Sequence, residues 1–102
     1  VPNDFFDVQR TDDGARVTVR RLLDINSAPL LAAEIDTLLA DKPRHVVVDL
    51  AGLDLIDSSG VAVLVKLYKG VRNQGGKLAI VGARDQPLAI FKLLRMDKVF
   101  GI

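Results

Sequence analysis

Apolar residues recur along this 102-residue chain with two periods, and the alternation between the periods predicts its elements. Asp4-Phe5-Phe6-Asp7-Val8 reads as a short edge strand, and Thr11-Asp12-Asp13-Gly14 as a turn. Ala15, Val17 and Val19 then alternate with Arg16, Thr18 and Arg20, the period of a half-exposed strand. Together these runs predict a hairpin with a four-residue connection. Leu31, Ile35, Leu38 and Leu39 fall on one face of a helix, which Asn26 or Ser27 can cap and whose first turn tolerates Pro29. Pro43 stops that helix, because the residue before a proline avoids helical angles. The valines of Val46-Val47-Val48-Asp49-Leu50 predict an inner strand covered on both faces. Val61, Leu64, Val65, Tyr68 and Val71 line one face of the next helix, Ala62, Lys66, Lys69 and Asn73 another, and Gly75-Gly76 ends it. Lys77-Leu78-Ala79-Ile80-Val81 reads as a strand. Asp85 is placed to cap a last helix with Leu88, Phe91 and Leu94 inward, and Val99-Phe100-Gly101-Ile102 reads as the start of one more strand.

The order β-β-α-β-α-β-α implies a single α/β domain spanning residues 1–102. Strands alternating with helices imply right-handed crossovers and a mixed, largely parallel β-sheet, with the hairpin as its antiparallel part. No internal repeat, linker or low-complexity segment interrupts it.

Composition narrows the function more than the fold. A net charge of +1, no Lys/Arg-rich run and 5% aromatic residues argue against nucleic acid and anionic membrane as partners. The absence of cysteine removes disulfides, a thiol nucleophile and the usual zinc sites, and fits a cytoplasmic protein. No apolar run approaches the ~18 residues of a membrane span, and no charged-then-apolar leader stands at Val1.

The candidate chemistry sits at Asp57-Ser58-Ser59-Gly60, between the Val46–Leu50 strand and the helix from Val61. Two hydroxyls stand where a loop becomes a helix, where backbone N–H groups lack partners and the field favours negative charge. A phosphate there would change the surface charge by roughly −1.5 to −2. The plainer reading is that Asp57 or Ser58 merely caps the helix, while Gly60 leaves room for a partner's backbone. Lys66, eight residues on from Ser58, lies ~12 Å along the helix, beyond the ~8 Å Debye length. It therefore reads as a solvated face or a partner contact rather than a phosphate clamp. Asp49, Asp54 and Asp57 read as carboxylates in loops after a strand, with no cysteine in the chain, so no metal site is expected. His45, the one histidine, begins a strand and reads as a surface residue. Ile56-Asp57-Ser58-Ser59-Gly60 approaches the Gly-x-Ser-x-Gly nucleophile elbow but lacks its first glycine, which weighs against a small serine hydrolase. Gly75-Gly76-Lys77 follows a helix and precedes a strand, the reverse of a phosphate-binding loop, and reads as a turn.

Val46-Val47-Val48-Asp49-Leu50, Leu53, Ile56-Asp57-Ser58-Ser59-Gly60-Val61, the helix through Lys69, Gly75-Gly76-Lys77-Leu78 and the Asp85 to Met96 segment resemble a STAS domain of the anti-sigma factor antagonist group. The resemblance covers nearly the whole chain. It implies a binding protein without cofactor or catalysis of its own. Its partner would be an anti-sigma factor serine kinase, which phosphorylates the serine after the motif aspartate, Ser58 here. The unphosphorylated form would bind the kinase and free a sigma factor for transcription; the phosphorylated form would let go. An aspartate after the second strand, matched by Asp24, belongs to the same surface. Partner contact is then expected at Asp24, Asp57, Ser58, Ser59, Gly60, Ala62 and Lys66. A constitutive STAS scaffold in a stress-signalling or lipid-transport complex, with Ser58 unmodified, is the alternative. Two departures stand out. The family's Gly-x-Leu-Asp is Arg21-Leu22-Leu23-Asp24 here, so a different local turn is expected. The family's final helix, after its last strand, would lie beyond Ile102.

Overall fold

The computed structural model describes residues 3–102. Its elements are β1 (Phe6–Thr11), β2 (Gly14–Leu23), α1 (Ala28–Ala40), β3 (His45–Ile56), α2 (Ser58–Asn73), β4 (Lys77–Val81), α3 (Asp85–Leu93) and α4 (Met96–Phe100). The four strands form one sheet in the order β1-β2-β3-β4. β1 pairs antiparallel with β2, whereas β2–β3 and β3–β4 are parallel, the mixed and largely parallel sheet that the alternation of strands and helices implies.

The hairpin is tighter than its sequence suggests. Thr11 faces Gly14 directly, which leaves Asp12 and Asp13 as a two-residue connection instead of four. Gly14 permits this because β3 starts against it: a Cβ there would lie 1.6 Å from the His45 carbonyl oxygen.

Burial along β3 alternates. Val46, Val48 and Leu50 are buried, while Val47 and Asp49 between them are only half-buried. The sheet is therefore covered on one face, not two, which corrects the reading of three valines as an inner strand. Val17, Val19 and Leu23 of β2 join that covered face, and Leu31, Ile35 and Leu38 of α1 pack into the same core. α2 contributes Val61, Val63, Leu64, Leu67 and Val71. Its buried face includes Val63 and Leu67, which the expected stripe lacked, and leaves Val65 and Tyr68 half-buried. The opposite face of the sheet is polar, with ion pairs Arg16–Asp49 at 2.7 Å and Arg20–Asp7 at 2.8 Å.

The last third departs most from expectation. Asp85 opens α3 but does not cap it; its carboxylate takes the Arg84 guanidinium at 2.6 Å. Phe91 is buried, Leu88 is half-buried, and Leu94 is exposed because α3 has already ended at Leu93. Val99–Ile102 is not a strand. Met96–Phe100 forms the short helix α4, which drives Phe100 edge-on against Tyr68 (5.6 Å between centroids) and Phe91 (5.5 Å). His45 is exposed, as expected, with Nε2 3.9 Å from Asp13.

Candidate functional site

Parallel pairing of β2 with β3 brings their C-terminal ends together, with Leu23 opposite Ile56. The residues that follow each strand are therefore neighbours in space. After β3 the chain stays extended at Asp57 (φ −115°, ψ −174°) and then turns into α2. The Asp57 N–H donates to the Leu23 carbonyl at 3.2 Å, and the Asp57 carbonyl accepts the first helical bond, from Val61 N–H at 3.0 Å. Its carboxylate has two tasks. Oδ1 accepts from the Gly60 N–H at 3.0 Å and caps the helix; Oδ2 accepts from the Ile25 N–H at 3.1 Å, across the gap to the β2–α1 loop.

Asp24 folds that loop. Its Oδ1 accepts from the Asn26 N–H at 2.9 Å and the Ser27 N–H at 3.3 Å. Ser27 holds the position before α1 without capping it: its hydroxyl donates to the Leu22 carbonyl at 2.9 Å and accepts from the Asp24 N–H at 3.1 Å. Near the end of β2 the backbone is left-handed at Arg21 (φ 66°), so arginine holds here a conformation that suits glycine.

Ser58 is the first residue of α2 and is exposed, and Ser59 is half-buried. Among the described residues neither hydroxyl makes a hydrogen bond, since Asp57 supplies the cap. Ala62 and Lys66 follow down the exposed face of the helix. Lys66 is not free: its Nζ lies 2.7 Å from the Asp36 carboxylate of α1. Gly60 faces inward. A Cβ on it would sit 2.4 Å from the Leu23 carbonyl oxygen and 2.7 Å from Ile56, so its small size serves helix–strand packing and leaves no opening for a partner. Asp24, Asp57, Ser58 and Ser59 thus gather at one end of the sheet, Ala62 and Lys66 extend from them, and Gly60 supports them from beneath.

Asp24 and Asp57 also line a shallow depression of about 380 Å³ with Leu22, Leu55, Ile56 and Gln86. Leu55 in β3 and Ile25 in the β2–α1 loop are exposed apolar residues beside it in the chain, and Leu30 is exposed in the first turn of α1. The acidic residues after β3 begins have separate partners. Asp49 takes the Ala51 N–H at 2.9 Å and Arg16; these bonds hold its carboxyl below the usual carboxylate range, the Ala51 bond contributing most. Asp54 pairs with Arg84 at 3.2 Å. Among the described residues no group of three or more His, Cys, Asp or Glu is placed to hold a metal ion, and no helix is long and apolar enough to cross a membrane.

Sequence reasoning missed Gln86. Its Oε1 accepts from the Ile56 N–H and its Nε2 donates to the Ile56 carbonyl, both at 2.9 Å. Nothing in the local pattern around residue 86 announces a partner thirty positions away.

Comparison with known proteins places the fold. An anti-sigma-B factor antagonist of Bacillus subtilis (strain 168) is 25% identical over 96 residues, spanning 94% of this chain and 87% of that protein. The crystal structure of an anti-sigma factor antagonist from Mycobacterium paratuberculosis superimposes with a TM-score of 0.82 at 26% identity, over 93% of this chain and 80% of that one. The Bacillus cell fate determinant SpoIIAA in its phosphorylated form shares the fold at a TM-score of 0.76 and 16% identity, over 91% and 86% of the two chains. The model of the STAS domain matches residues 6–102, and the chain belongs to that family.

Proposed function

We propose that this chain is an anti-sigma factor antagonist, a cytoplasmic binding protein controlled by phosphorylation of Ser58. The observation that carries the reading is the division of labour at the start of α2. Asp57 supplies the cap, so the exposed Ser58 hydroxyl owes nothing to the fold and is available to another protein. The relatives named anti-sigma factor antagonists support the class of partner, an anti-sigma factor, and the reading gives that partner serine kinase activity. This chain would be substrate and the partner catalyst. The Ser58 Oγ takes the γ-phosphoryl group of ATP, the bond to ADP breaks, and the hydroxyl proton leaves to a base of the kinase.

The fold should survive modification. A helix N-terminus favours added negative charge by ~0.3–1 kcal/mol, although the neighbouring Asp57 carboxylate opposes it. Release then arises at the interface, where a dianion replaces a neutral hydroxyl in a desolvated contact and faces Asp57. A loss of ~2.7 kcal/mol there weakens binding about a hundredfold.

The test is incubation with ATP and candidate anti-sigma kinases, mass-spectrometric mapping of the modified residue, and binding assays on variants. Ser58→Ala should bind and resist modification, Ser58→Asp should bind poorly, and Ser59→Ala should still be modified. Ala62→Arg should abolish binding with the fold intact, because an exposed small residue becomes a charged obstacle. Phosphate on Ser59 alone, or full binding by the Ser58 phosphoprotein, would sink the proposal; tight binding with no modification of any serine would favour a constitutive scaffold.

A further inference from the structure

β4 pairs with β3 only as far as Val81 opposite Asp49. Beyond that point β3 runs on to Ile56 with β2 on one side and, among the described residues, no strand on the other. Side chains from the start of α3 take over the vacant edge. The Arg84 Nε donates to the Ala51 carbonyl at 2.7 Å, and the Gln86 amide bonds both the N–H and the carbonyl of Ile56. One primary amide thereby replaces one residue of a missing strand, at the peptide just before Asp57.

We propose that Gln86 is a positioning residue for the phosphoacceptor. With the strand end held on one edge by Gln86 at Ile56 and on the other by the Asp57 N–H bond to Leu23, Asp57 emerges at the angle that lets one carboxylate reach Gly60 and Ile25 together, and the exposed Ser58 opens α2. Nothing bonds Gln86 to Ser58; it acts through Ile56 and Asp57. The inference rests on Ser58 being the residue modified. A kinase that meets Ser58 on a folded helix start depends on that order for the in-line geometry of transfer, so loosening the clamp should slow the chemical step more than it weakens encounter.

The experiment compares the full chain with Gln86→Met, which keeps the length of the side chain and loses both hydrogen bonds. Amide exchange of Gly60 and Ile25, whose N–H groups bond Asp57 and not Gln86, should accelerate about tenfold, with β2 core amides unchanged. With a serine kinase that modifies the unsubstituted chain, kcat at Ser58 should fall about tenfold and KM should change less than about twofold. Gln86→Glu keeps the acceptor for the Ile56 N–H and loses the donor, and should fall between the two; it also serves if Gln86→Met does not fold. Faster exchange confined to Ile56, or unchanged kinetics while Gly60 and Ile25 loosen, overturns the positioning role. A chain that no kinase modifies at Ser58 overturns the functional reading and the acceptor role with it, while exchange at Gly60 and Ile25 still decides whether the clamp reaches Asp57.

Discussion

Asp57 bonds backbone N–H groups from two elements, so removing its carboxylate acts twice. Asp57→Ala should lose a cap worth ~1 kcal/mol and release the β2–α1 loop, for a total of about 1–2 kcal/mol in urea denaturation. Ser58→Ala, which removes a hydroxyl with no hydrogen-bond partner among the described residues, should stay within about 0.5 kcal/mol of the parent. Equal losses for the two would mean that Ser58 is the real cap. The sequence leaves this choice open because either residue type caps well and the two are adjacent. What decides is the extended backbone of Asp57, a consequence of where β3 ends, and no pattern in the tetrapeptide carries that. Gly60 shows the same limit. Its smallness is visible in the sequence, but whether the space faces a partner or the Leu23 carbonyl depends on the strand beneath it.

The elements with sustained periodicity were legible: β2 by alternation, α1 and α2 by apolar faces, β4 by a bounded apolar run. The end of the chain was not. A short apolar stretch such as Val99–Ile102 fits a strand or a buried helical turn equally by pattern, and the aromatic contacts of Phe100 with Tyr68 and Phe91 settle it. Leu94 went wrong for a related reason, because α3 ends one residue before it. β2 contains a feature that propensity alone would not place there, the left-handed Arg21, between register irregularities in its pairing with β3. A left-handed non-glycine residue costs ~1–2 kcal/mol, while a glycine adds ~0.4–1 kcal/mol of unfolded-state entropy. Arg21→Gly should therefore raise stability by up to about 1 kcal/mol, seen as a higher denaturation midpoint with the slope unchanged. A lower midpoint would show that the Arg21 side chain contributes more than its backbone costs.

For the molecule as a whole, the asymmetry of the sheet governs which substitutions are tolerated. Val47 and Val48 are adjacent and chemically identical, yet Val48 is fully buried and Val47 lies on the polar face. Val48→Asp should cost about 4 kcal/mol or more, most of the stability of a domain near the lower end of the ordinary ~5–15 kcal/mol. Val47→Asp should cost less than about 1 kcal/mol in the same thermal melts followed by circular dichroism. Similar melting of the two variants would mean that both faces are covered after all. The three valines alone could not reveal this, because a run without polar residues hides its own alternation; the polar face declares itself only through Arg16, Arg20 and their carboxylate partners.

The spatial order of the strands is their order in the chain, β1-β2-β3-β4. No strand has to be inserted between two others already paired. During synthesis each one leaves the ribosome to find its neighbour already made, and the sheet can grow outward from the hairpin by accretion. Folding then needs no late rearrangement of pairing, and loop closure never spans more than one crossover. Pulsed hydrogen exchange on refolding should protect β2 and β3 amides before those of β4; protection of β4 first would mean that the sheet closes by another route. A protein built this way has the joined ends of β2 and β3, where the candidate site lies, complete before α3 has emerged, and only the Gln86 bonds to Ile56 wait for that helix.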